Sequence, residues 1–129
     1  MNATHLVLKY CGVRVDADAL TDAVRVDATR PTVASQLLDA VRALANTEAH
    51  IAQLVPTIGR ALRDVEQVLA AGPDDQIPVI DTTGVLQARG PRLDALLARR
   101  AAQIEHLRAA TRLWVAQHPD PATTTSAPQ

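Results

Sequence analysis

Phenylalanine is absent from this chain of 129 residues, and Trp and Tyr occur once each, as Trp114 and Tyr10. A core must therefore be built from Leu, Val, Ile and Ala. Hydrophobic residues still make up 47% of the chain, enough for one small domain. All-β sandwiches lean on aromatics, so the shortage shifts weight toward a helical fold. Cysteine also occurs once, as Cys11, which excludes an intrachain disulfide. Lys9 is the only lysine, and the remaining basic residues are Arg. The formal net charge is −1, so no global field draws the chain to nucleic acid or to an anionic membrane. No apolar run approaches the roughly 20 residues that span a bilayer. No charged segment followed by an apolar one opens the chain as a signal peptide would. The expectation is a soluble, cytoplasmic protein with no membrane contact. The bias toward Ala, Val, Asp and Arg resembles the product of a GC-rich bacterial genome.

What is present is mostly periodic. Leu37, Val41, Leu44, Glu48, Ile51, Val55, Ile58, Leu62, Val65 and Leu69 alternate steps of four and three, a heptad seam. As one straight helix it would run roughly 55 Å at 1.5 Å per residue, so it needs a packing partner of similar length. Pro31 and Thr29 or Thr32 mark its start, and Gly72-Pro73 its end. Pro56 falls inside it, beside the seam, which predicts a kink within one helix and not a loop. A second four–three series runs through Leu86, Gly90, Leu93, Leu97, Arg100, Ile104, Leu107, Thr111 and Trp114, widened by Leu96 and Val115. Pro91 lies within it and either kinks one helix or separates two.

The N-terminal third is less explicit. "NATHLVLKYCG" has a capping Asn2 and a stopping Gly12, yet "LVLKY" would also suit a strand. The five residues "VRVDA" at 13–17 recur at 24–28, an eleven-residue offset that would place both copies on one helix face. A hairpin of the two "VRV" runs is the rival, but "DADALTDA" has no Gly, Asn or Pro to turn it, which favours a helix around Ala17–Arg25. The closing "HPDPATTTSAPQ" reads as a disordered tail over 119–129, leaving 1–118 as a single helical domain. The fold expected is all-α: a long antiparallel helical hairpin with one or two short N-terminal helices packed on it, a small helical bundle.

Sites of chemistry are scarce. "IPVIDTTGV" imitates a catalytic aspartate loop, but its Asp-Thr-Thr-Gly order departs from the protease pattern and no β framework surrounds it. Asp81 is better read as the cap of a helix starting at Thr82. The histidines are His5, His50, His106 and His118. Glu48–His50 and Glu105–His106 are too closely spaced to share a helix face, so no metal is expected. Cys11 has no flanking feature that activates a thiol and reads as a small hydrophobe. There is no Gly-rich phosphate loop and no G-x-S-x-G motif, so neither a cofactor nor catalysis is indicated.

Two charges interrupt the seams, Glu48 and Arg100, and these are the candidate interaction and specificity residues together with His106. With a short turn, equal rise along the hairpin puts Glu48 beside Leu107, adjacent to His106 and about 10 Å from Arg100. A buried seam charge costs several kcal/mol unless it is paired, so Glu48 should meet a basic group. Six Arg against two acids between Thr82 and His118 leave the last helix basic, with Arg92, Arg99 and His106 stepping by seven as a candidate nucleic-acid face. A solvated charged face is the simpler explanation. The leading expectation is a non-enzymatic interaction or assembly protein, self-associating or docking on a helical partner. The alternatives are a nucleic-acid-associated accessory protein and a bundle that binds a small apolar ligand.

Overall fold

The structure, a computed structural model, describes residues 3–26, 29–75 and 83–119. Four helices account for the secondary structure of those residues, with no strand among them: α1 (Ala3–Cys11), α2 (Ala17–Val26), α3 (Val33–Ala70) and α4 (Thr83–Gln117). The all-α reading therefore holds, and the N-terminal segments are helices and not a hairpin. Two compact units divide the chain. One comprises Met1–Asn46 with Arg100–Gln129, the other Thr47–Arg99. The first unit takes the start of α3 and the end of α4, and the second takes the end of α3 and the start of α4.

Each helix boundary has a local cause. Gly12 ends α1 with φ of 69°, its N–H donating to the Leu8 carbonyl at 3.0 Å. That left-handed cap costs least at a residue with no Cβ. Asp16 caps α2, its Oδ1 accepting from the Asp18 N–H at 3.0 Å. Thr32 caps α3 reciprocally: its N–H donates to Ser35 Oγ at 2.8 Å, and the Ser35 N–H donates to Thr32 Oγ1 at 3.1 Å. This is a capping box with serine in the place usually held by Glu or Gln. After α3, the Asp75 N–H donates to the Gly72 carbonyl at 3.2 Å and Asp75 Oδ2 accepts from the Gly72 N–H at 2.7 Å. Pro73, which has no N–H, sits inside that turn.

Neither internal proline breaks its helix. Pro56 is exposed within α3 and Pro91 is exposed within α4, and each helix is continuous through its proline. The eleven-residue repeat does not lie on one helix: residues 13–16 form the connection before α2, and only the second copy begins within it. The cap expected at Asn2, and the cap expected at Asp81 with a start at Thr82, lie outside the described residues. So does the tail expected over 119–129, apart from Pro119.

In the first unit one core joins all four helices. Leu6 and Val7 of α1, Leu20 of α2, Leu37, Val41 and Leu44 of α3, and Leu107 and Trp114 of α4 are buried together. Full burial of each aliphatic side chain is worth about 1.5–3 kcal/mol. In the second unit the buried side chains of α3 are Thr47, Leu54 and Ala61, a seven-residue series. Leu96 of α4 is buried there as well.

Candidate functional site

The second half of α3 departs from the seam expected of it. Val55, Leu62 and Leu69 continue the seven-residue series of Val41 and Glu48, and they are 48%, 54% and 81% exposed. The buried series is Thr47, Leu54 and Ala61, one position earlier on the helix and so about 100° around it. The cause is the number of covering helices. In the first unit α3 is enclosed by α4 and by α1 and α2, so a wide stripe is buried: Ala34, Leu37, Ala40, Val41 and Leu44. Among the described helices, only α3 and α4 contribute to the second unit. One partner helix covers one narrow stripe. Ile51, Ile58 and Val65 are half-buried at its margin, and Val55, Leu62 and Leu69 remain in solvent.

The polar surroundings of this row are specific. The Arg63 guanidinium lies over Gly59: its Nη1 is 3.7 Å from where a Cβ at Gly59 would sit. Arg63 and Glu66 are both exposed, three residues apart on α3, and they form no ion pair with each other among the described residues. A cation and an anion thus flank the apolar row, with neither neutralising the other.

The residues singled out from sequence are dispersed. Glu48 is half-buried in the second unit and is not without a partner. Arg100 belongs to the first unit, where its Nη2 donates to the Tyr10 hydroxyl at 2.8 Å and its guanidinium stands 5.2 Å from the ring centroid. Hydrogen bond and cation–π contact together hold α4 against the end of α1. Nothing in the spacing of either segment signalled this pair, because ninety residues separate its members. His106 is exposed on α4. Arg92 and Arg99 are exposed in the second unit, and Arg92 lines a shallow polar cleft of about 120 Å³ with His50, Gln53, Leu54 and Arg89. No three His, Cys, Asp or Glu side chains gather as a metal site among the described residues. No described helix is long and apolar enough to cross a membrane.

Among the described residues, Gln103 Oε1 is buried with no hydrogen-bond partner, on the α4 series that runs from Leu96 to Ala110, both buried. At the end of α4 the His118 ring stacks on Trp114 at 3.8 Å between centroids, and its Nδ1 is 3.2 Å from the Trp114 carbonyl.

No known protein family, characterised protein or solved structure matches this chain.

Proposed function

We propose that this protein is a non-enzymatic helical assembly module that pairs with a second copy of itself through the uncovered face of α3. The observation that carries this reading is the exposed aliphatic row of Val55, Leu62 and Leu69. Such a row is unfavourable in water and gains free energy of burial against a like surface. The row suits self-pairing because it is symmetric about its centre. A two-fold axis at Leu62 sets Val55 opposite Leu69 and Leu62 opposite its own copy, giving an isologous interface. The same axis returns the Arg63 and Glu66 flank onto itself. Glu66 of one copy then lies across from Ile58, next to the Gly59 over which the other copy's Arg63 guanidinium rests, and the two charges meet with opposite sign. Charge pairs in such flanking positions set orientation in paired helices.

Light scattering and sedimentation at about 10 μM test the reading, since interfaces of this kind commonly reach micromolar affinity. A mass of twice 13.8 kDa is expected for the native chain. Leu62→Glu should return the mass to one chain while leaving helicity intact, because Leu62 is already half in solvent. Arg63→Glu and Glu66→Arg should each weaken association, and the double reversal should restore it. A monomer mass at every accessible concentration refutes the proposal, and so does a dimer indifferent to Leu62→Glu.

A further inference from the structure

An open cavity of about 390 Å³ lies in the first unit, where Gly12 turns the chain away from α1. Tyr10, Cys11 and Val13 form one wall, and Arg108, Thr111 and Arg112 of α4 form the other. Val115 of α4 also lines it. The volume falls within the range of small-molecule sites. The lining has two chemical characters. Val13, Val115 and the Cys11 thiol, whose Sγ is 3.5 Å from Thr111 Oγ1, present a mostly apolar surface. Arg108 and Arg112 stand on one side of it, one helical turn apart.

Their electrostatic situations differ. Arg108 is engaged on both ends of its guanidinium: Nε donates to the Tyr10 carbonyl at 3.2 Å and Nη1 to Glu105 Oε1 at 2.7 Å. Arg112 has no acidic partner among the described residues. Like charges four residues apart on a helix repel, an unfavourable term that a bound anion would relieve. Arg108 is fixed by its bonds and helps shape the wall, and among the described residues Arg112 is the charge left over.

We infer that this cavity binds a small anionic amphiphile, a free carboxylate with a short unbranched apolar body, its head on the Arg112 guanidinium and its body along Val13, Cys11 and Val115. The charge selects the head, since a guanidinium forms paired hydrogen bonds with a carboxylate. The apolar lining selects the body. The inference does not depend on self-association, which concerns the other unit.

Cys11 provides the readout, because it lines the cavity and is the only thiol in the chain. Alkylation of the native protein by iodoacetamide, followed by mass spectrometry, is measured with and without decanoate at about 1 mM, a concentration that detects weak sites. Decanoate should slow alkylation several-fold, and decylamine should not. Titration calorimetry on the same samples should show Arg112→Glu weakening decanoate at least tenfold, with an unchanged thermal melt because Arg112 is exposed. Val13→Trp, which fills the cavity, should abolish binding, and Val13→Ala, which enlarges it, should retain binding, so that a folding failure of the larger variant does not decide the matter. The inference is overturned if decanoate leaves the alkylation rate unchanged, if decylamine protects equally, or if Arg112→Glu binds as the native chain does. Equal protection by anionic phospholipid vesicles also overturns it, because the site would then read a membrane surface and not a free amphiphile.

Discussion

Leu44→Ala and Leu62→Ala delete the same atoms from two positions of the same four–three series on α3, and they should behave differently. Leu44 is fully buried, at 0% exposure, in the core that joins all four helices. Its truncation loses the transfer free energy of the deleted carbons and leaves a cavity that neighbours fill only in part, at about 2–5 kcal/mol. Leu62 is 54% exposed. About half of its roughly 1.5–3 kcal/mol burial term is never realised in one chain, and no closed cavity forms, so about 1 kcal/mol is expected. For a chain of this size 1 kcal/mol moves the melting temperature by about 3–6 °C. Leu44→Ala should therefore lower it by roughly 6–30 °C, and Leu62→Ala by about 3–6 °C. The assay is thermal unfolding followed by far-UV circular dichroism, at dilutions where the melting temperature has stopped depending on concentration. At higher concentration the native melting temperature should rise by mass action, and that of Leu62→Ala should stay flat. Equal losses for the two variants in dilute solution would refute the assignment of Leu62 to an uncovered face. A near-neutral Leu44→Ala would refute the core.

Three further outcomes are expected. Tyr10→Phe removes the acceptor of the Arg100 bond but keeps the ring, so it should cost about 1–2 kcal/mol by chemical denaturation, and Tyr10→Ala should cost clearly more; an unchanged midpoint for Tyr10→Phe would show the 2.8 Å bond to be without consequence. Gln103→Met replaces a buried, unpartnered carbonyl by an apolar side chain of similar volume and should raise stability, by up to about 1–3 kcal/mol; a loss would mean that the oxygen is satisfied in solution. Pro56→Ala restores a backbone donor in the middle of continuous α3 and should raise the melting temperature, since proline in a helix interior costs about 3 kcal/mol; no gain would show that the helix accommodates the ring without strain.

The elements of this fold are written locally. The four–three series, the stop at Gly72-Pro73, the cap at Thr32 and the break at Gly12 each act over a few residues, through backbone geometry or the period of the helix, so all can be read in one dimension. The lack of Phe and of turn residues in Ala17–Arg25 likewise pointed to helices. In the first unit the seam members Leu37, Val41, Leu44, Leu107, Thr111 and Trp114 are buried as their period indicates, but which side of the second half of α3 is buried was fixed only by packing. From sequence, Leu44 and Leu62 are equivalent members of one seam. They differ because α1 and α2, which precede α3 in the chain, cover its first half, whereas the buried stripe of the second half is the narrow one through Leu54 and Ala61. The same limit hid the contact of Tyr10 with Arg100 and of Cys11 with Thr111, ninety and a hundred residues apart. A hydrophobic period records that a residue needs cover. Only the packed chain shows where that cover comes from, because burial depends on segments that no local spacing encodes.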